Sequence, residues 1–323
     1  MRALKVILAH FLVVAAASSP AQTWVPNKPV RLIIPQVAGG GADSIGRLIG
    51  QGLSEKIGQP IIADNKPGTN GGIGVESLMH SPSDGYNIML VFTSVMAINP
   101  AVYTKLSYDP LKDLRVLGSI CEVPLVMIAS SGIEANSLKE FIAFVKSKPG
   151  LVFGASSGNG TFSHLLIELL NAKAGLSLTH VPFKGEAPAV QHVMSNQDLM
   201  IYIGTPAPIL GPVSVGRLKA LGVTTSLRMS QLPNVPSLAE QGLPDVNESF
   251  WYGLATSSST PAAIAEALDQ YVLAAAKSPG LIQSLEKVGC NSQPMNSTEF
   301  SERIKVDYAK YGAIARSVGM KVD

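Results

Sequence analysis

Two short stretches concentrate the residues that could hold a small anion. Gln36-Val-Ala-Gly-Gly-Gly-Ala-Asp43 and Ala155-Ser-Ser-Gly-Asn-Gly-Thr161 both mix glycine with small polar side chains. Glycine lets backbone N–H groups approach a ligand closely, and Ser156, Ser157, Asn159 and Thr161 add side-chain donors. Each stretch follows an apolar run and precedes apolar residues at helical spacing, so each should open a helix. The first N–H groups of a helix lack partners within it and carry a partial positive charge, which makes the end a ready anion site. Two such ends facing one another across a cleft could clamp a carboxylate without any arginine. Ordinary strand-to-helix turns with caps would look the same in sequence.

Other chemistries find less support. Gly154-Ala-Ser-Ser-Gly158 fits the G-x-S-x-G pattern of a serine nucleophile between strand and helix. That pattern needs an acid and then a histidine downstream. No Asp stands between Ser156 and His192, the last histidine, and only Glu168 and Glu186 could serve as the acid. A serine hydrolase using Ser156 is therefore the lesser alternative. Gly39-Gly-Gly41 lacks the lysine of a P-loop, Ser163 stands where a dinucleotide fingerprint needs its third glycine, and no clustered metal ligands occur. No cofactor or metal is expected. Asp43 falls in a first helical turn, where it caps the helix or shapes the loop. Thr93-Ser94 follows an apolar run as a cap or as two ligand-facing hydroxyls. Asp198 reads as a solvated strand edge and His180 as a strand-end residue.

The elements that must position these residues alternate. Strands are read at Val30–Ile34, Ile61–Ala63, Tyr86–Val91, Leu125–Ala129, Leu151–Phe153, Leu199–Ile203, Leu218–Val223 and Trp251–Ala255. Helical spacing recurs at Ile45–Leu53, Phe141–Val145, His164–Leu170, Ile264–Leu273 and Phe300–Val318. This alternation argues for an α/β protein with mainly parallel sheets. No long Pro- or Ser-rich linker separates two domains, so two domains would be joined by strands rather than by a tether.

Composition narrows the class. Among 323 residues, 25 Lys+Arg against 23 Asp+Glu leave a net charge of +2, and 15% are charged. That is neither the polar, highly charged composition of a disordered chain nor the basic field of a nucleic-acid binder. Arg2 and Lys5 precede the apolar run Val6 to Ala17, then small residues at Ser19 and Ala21. This is the pattern of a secretory signal peptide over 1–21, cleaved near Ala21, and the run is too short to span a bilayer. The mature chain is expected to be exported and soluble. Export permits Cys121 and Cys290 to pair, but two isolated buried thiols are an equal alternative.

Several segments, in order, resemble the periplasmic substrate-binding receptors of tripartite tricarboxylate transporters, the Bug proteins. They include Pro29-Val-Arg-Leu-Ile-Ile-Pro35 with the first glycine loop, Asn65-Lys-Pro-Gly-Thr-Asn-Gly-Gly-Ile-Gly74, Asn99-Pro-Ala-Val-Tyr103 and Ser156–Thr161 with His164. His180-Val-Pro-Phe-Lys-Gly185, Leu232-Pro-Asn-Val-Pro-Ser237 and Trp251-Tyr-Gly-Leu254 follow. The resemblance implies a two-lobed flytrap fold, like the type II periplasmic binding proteins, with a central cleft. Lobe one would be 24–122 plus 251–323 and lobe two 123–250, crossing in hinge strands near Val123 and Trp251. The implied function is capture of a small carboxylate and delivery to a membrane permease, by a periplasmic monomer that is not an enzyme. A sensory receptor reporting to a signalling partner would use the same fold. By position, the resemblance implies ligand contacts at Gly40, Gly41, Ala42 and Asp43, a floor at Thr93 and Ser94, and an opposite jaw at Ser157, Asn159, Gly160 and Thr161. Asp198, Tyr202 and Thr205 would choose the far end of the ligand. The chain departs from the family's usual pattern at Ala38, at Ala42, where a hydroxyl is lost, and at Ser195–Asp198, which lacks glycines.

Overall fold

Val30, Leu32, Ile33 and Ile34 are wholly buried, the mark of a parallel strand covered on both faces. The computed structural model, which describes residues 24–322, places them in the first of eleven described strands. These are β1 (Val30–Ile34), β2 (Ile61–Asn65), β3 (Asn87–Phe92), β4 (Leu114–Pro124), β5 (Val126–Ala129), β6 (Phe153–Ser156), β7 (Thr179–Pro182), β8 (Met200–Gly204), β9 (Lys219–Val223), β10 (Ser249–Ser257) and β11 (Asn291–Met295). The helices are α1 (Gly41–Ile57), α2 (Gly72–Met79), α3 (Asn99–Val102), α4 (Leu138–Ser147), α5 (Phe162–Ala174), α6 (Glu186–Ser195), α7 (Leu210–Ser214), α8 (Ala262–Ala276), α9 (Pro279–Lys287) and α10 (Ser297–Ser317). The expected signal peptide over 1–21 lies outside the described residues.

Two sheets form the two lobes of the flytrap fold. One has six strands in the order β11-β4-β10-β3-β1-β2, the other five in the order β7-β6-β8-β5-β9. The expectation of mainly parallel sheets is corrected. β1 runs parallel to β2 and β3, and β6 parallel to β7 and β8, but β10 is antiparallel to β3 and β4, and β5 to β8 and β9. The cause is the path of the chain. It leaves the first sheet along β4 into β5 and returns along β10, so the outgoing and returning strands lie side by side in opposite directions, paired from Ser249↔Pro124 to Ser257↔Leu114.

The return strand is pinned at its start. Trp251 Nε1–H donates to Asp307 (2.7 Å), Arg303 Nε donates to the same carboxylate (2.8 Å), and Glu248, almost fully buried, accepts from Lys310 (2.7 Å) and from the Tyr311 hydroxyl (2.9 Å). All four partners lie on α10, which therefore buttresses the crossing. Cys121 on β4 and Cys290, just before β11, form a disulfide with their Cα atoms 5.6 Å apart. The open question of their pairing is thus answered, and the bond ties the edge strand to its neighbour.

Candidate functional site

The first glycine loop delivers α1 without a side-chain cap. Its N-cap is Gly40, and no side chain accepts from the first turn at that residue. Asp43 is turned away to organise the loop: it accepts from Gly39 N–H (3.0 Å), Arg47 Nε (2.9 Å) and Asn65 Nδ2 (3.0 Å). Burial alone would raise its pKa, but Arg47 and the hydrogen bonds from Gly39 and Asn65 hold it below the usual carboxylate value.

The N–H of Gly41 donates to Glu186 Oε2 at 2.9 Å, 145 residues away in the other lobe. Glu186 is the first residue of α6. Its Oε2 also accepts from the Thr205 hydroxyl (2.7 Å), and its Oε1 accepts from Thr205 N–H (2.7 Å) and the Tyr202 hydroxyl (3.1 Å). Desolvation pushes this carboxyl's pKa up, against the pull of its donors on Thr205, Gly41 and Tyr202. The approach is close. A Cβ at Gly41 would collide with Thr205 Oγ1 and stand 2.9 Å from Glu186 Oε2, so only glycine fits there.

The second loop satisfies itself. Thr161 caps α5 by accepting from His164 N–H, its hydroxyl donates to Gly158 O (2.7 Å), and Ser163 Oγ accepts from Ser157 N–H (2.9 Å). Two contacts link this loop to the first lobe: Asn70 Nδ2 donates to Gly160 O (3.1 Å), and the Tyr103 hydroxyl donates to Asn159 O (3.1 Å).

Between the loops lies a narrow cavity of about 60 Å³. Gly40, Gly41, Ala42, Ser94, Ser157, Thr161, Tyr202 and Thr205, eight of the anticipated site residues, line it. Asn159 lines the adjoining outer groove instead. Asp43, Thr93, Gly160 and Asp198 are not brought to the inner cavity. Thr93 is fully buried behind it, accepting from Trp251 N–H (3.1 Å). Gly160 holds the turn, and Asp198 pairs with His192 Nε2 (2.8 Å) on the surface. Sequence reasoning missed Asn70, the aromatic wall of Phe92, Phe162, Phe250 and Tyr252, and the cleft role of Glu186. Asn70 had a visible signal, its place inside a glycine loop. Glu186 had none beyond an acid at a helix start, which is ordinary capping chemistry.

Ser156 meets a histidine after all: its Oγ lies 2.6 Å from His180 Nε2. That ring stacks on His164 (3.7 Å between centroids), whose Nε2 is 3.6 Å from Glu168 Oε1. Burial first, then the neighbouring His164, lower the pKa of His180 to about 4. Yet the Ser156 side chain is wholly buried and faces neither cavity nor groove. The cluster resembles a relay, but its serine is the buried end and the partly exposed groups are His164, His180 and Glu168.

Residues 45–320 match the model of the tripartite tricarboxylate transporter family receptor. The chain is 28% identical to protein BugT of Bordetella pertussis, over 100% of this chain and 99% of that protein. Among solved structures, a Rhodopseudomonas palustris protein with adipate superimposes with a TM-score of 0.87 at 27% identity, over 92% of this chain and 99% of the other. MatC of the same organism with bound malate gives 0.83 at 25% identity, over 90% and 99%.

Proposed function

The chain belongs to the tripartite tricarboxylate transporter receptor family, and from that premise we propose that it captures a small carboxylate between its lobes in the periplasm and hands it to a membrane permease. The observation that carries this reading is a cavity enclosed between the two lobes where the glycine loops meet, with cross-lobe hydrogen bonds at Gly41, Asn70 and Tyr103. The hydroxyls of Ser94 and Ser157 line a space with no Lys or Arg among its lining residues. Such a site recognises an anion by directed donors rather than by bulk charge. Relatives with adipate and with malate support the ligand class.

The reading includes closure of the lobes. Lobe one, 24–122 plus 251–323, would rotate against lobe two, 123–250, about the paired strands β4 and β10 and the β4–β5 crossing. A ligand touching both jaws favours the closed form by its differential affinity for it, and a permease that recognises the closed outline would accept only loaded receptor. Nothing in this reading needs a second copy of the chain or a chemical step. The buried Ser156 serves as a loop anchor and not as a nucleophile: its hydroxyl faces neither the cavity nor the groove, so Ser156→Ala should leave ligand affinity nearly unchanged.

A thermal-shift screen of the mature protein against small acids and their amides tests the reading. An acid present at 100 times its dissociation constant should stabilise by about 2.7 kcal/mol, and the matching amide should give no shift. Equal shifts with acids and amides would count against a carboxylate site.

A further inference from the structure

The carboxylate that sits on the N-terminus of α1 belongs to the chain itself. Glu186 receives four hydrogen bonds, two on each oxygen, from Gly41 N–H, Thr205 N–H, Thr205 Oγ1–H and Tyr202 O–H. An ionised carboxylate offers about four lone-pair positions, so none is left for a ligand. Three of the four donors lie in the same lobe as Glu186. The acidic group therefore travels with that lobe, and closure adds the Gly41 N–H from the other. The place where one helix N-terminus and the Thr205 amide converge is filled before any ligand arrives.

We propose, on the basis of the receptor reading above, that Glu186 takes the place of one ligand carboxylate, so that this receptor selects acids with a single carboxylate and a neutral, apolar body over dicarboxylates. Three further observations agree. Glu186 is the one charged residue lining the inner cavity, and no cation there offsets a second anion. Two carboxylates in one water-poor site repel, and one of them must then give up its charge or its place. The remaining wall is apolar, with Phe92, Leu125, Phe250 and Tyr252 beside Ile203. The outer groove, of about 470 Å³, shares Asn70, Ser157 and Thr161 with the cavity and adds Lys184 and the Asn159 turn. A single carboxylate would sit toward that mouth, within reach of the Ser157 hydroxyl and the Lys184 ammonium, with its apolar body pointing inward.

Glu186 is on this account a specificity-determining residue, and a matched-pair titration separates that role from a merely structural one. Hexanoate against adipate, and benzoate against terephthalate, differ within each pair by one carboxylate. Calorimetric titration of wild type should favour the monoacid at least tenfold in a pair that binds. Glu186→Ala vacates the four donors and should shift the monoacid-to-diacid ratio at least tenfold toward the diacid, mainly by gaining the diacid. Glu186→Gln, which removes the charge and keeps the volume, should move the ratio the same way by a smaller factor, and it carries the test if the alanine variant does not fold. A structural role alone would weaken both members of a pair together. Adipate or terephthalate binding wild type as tightly as its partner, or a ratio unchanged in the variants, overturns this inference and leaves the carboxylate-receptor reading standing. Absence of binding by all four acids to wild type and variants overturns both.

Discussion

The two glycine loops are near copies in sequence pattern and opposites in what they do with their helix ends. At α5 the loop closes on itself: Thr161 caps the helix, and Ser157 and Ser163 bond one another. At α1 no side chain caps the helix from Gly40, Asp43 is occupied with the loop behind it, and the Gly41 N–H reaches across to the other lobe. One end is a finished local structure and the other is completed only when the lobes meet. A strand–glycine loop–helix pattern therefore does not by itself mark an anion seat. What marks it is a helix end whose donors are left for something outside its own loop.

Substitutions at matched positions should separate the two ends. The largest effect on folding is expected at Gly160, where φ is +76° and a Cβ would stand 2.9 Å from the Tyr103 ring across the cleft. Gly160→Ala should cost about 1–2 kcal/mol for the left-handed backbone, seen as a lower denaturation midpoint, and should weaken ligand binding as well. Thr161→Ala, which removes the α5 cap, should cost about 1 kcal/mol in the same measurement. No equivalent exists at α1, because Gly40 caps nothing with a side chain.

The third prediction concerns pH and belongs to the second loop alone. His180 is neutral in the fold down to about pH 4, whereas an ordinary histidine takes up a proton near 6.5. The unfolded chain therefore binds the proton first as pH falls. The stability from the neutral ring is complete above about pH 6.5 and is lost between 6.5 and about 4. Comparing denaturation midpoints of wild type and His180→Gln across that window should show a flatter profile for the variant; parallel profiles would sink the assignment. The smallest effect is expected at Asn70. Asn70→Ala removes its bond to Gly160 O and should weaken ligand binding by about 0.5–1.5 kcal/mol, read by titration, and because the same side chain donates to buried Asn99 Oδ1 (2.7 Å) in its own lobe the denaturation midpoint should fall as well.

Legibility in the sequence followed the same division between local and distant causes. β1 and α1 could be read because their apolar residues follow one period each, and Val30–Ile34 is the strand as observed. β4 was missed because it is an irregular strand: its pairing with β10 shifts register twice, and Arg115, Gly118, Ser119 and Glu122 interrupt any alternation. β7 and β11 are edge strands of largely polar residues, Thr179–Pro182 and Asn291–Met295, and carry no hydrophobic signal. In the site, the loops and most of their lining residues were legible, because glycine and hydroxyl clusters are local features. Asp198 stayed outside because it pairs with His192, only six residues away, on the surface. Glu186 could not be found at all, since its meaning comes from donors at Gly41, Tyr202 and Thr205 that only the fold brings together.

The central claim is that the bare end of α1 must close against the other lobe for ligand to be held. Gly41 has an ordinary backbone conformation, and the atoms that would block a Cβ there, on Thr205 and Glu186, all lie across the cleft. Gly41→Ala should therefore fold as well as wild type and fail only in closing. Calorimetric titration of both proteins with the acid that gives the largest shift in the screen decides the matter. The account predicts a loss of affinity of roughly 10- to 100-fold, the fold-change equivalent of about 1.4–2.8 kcal/mol of steric conflict, at an unchanged denaturation midpoint. Equal affinity in the two proteins would contradict it.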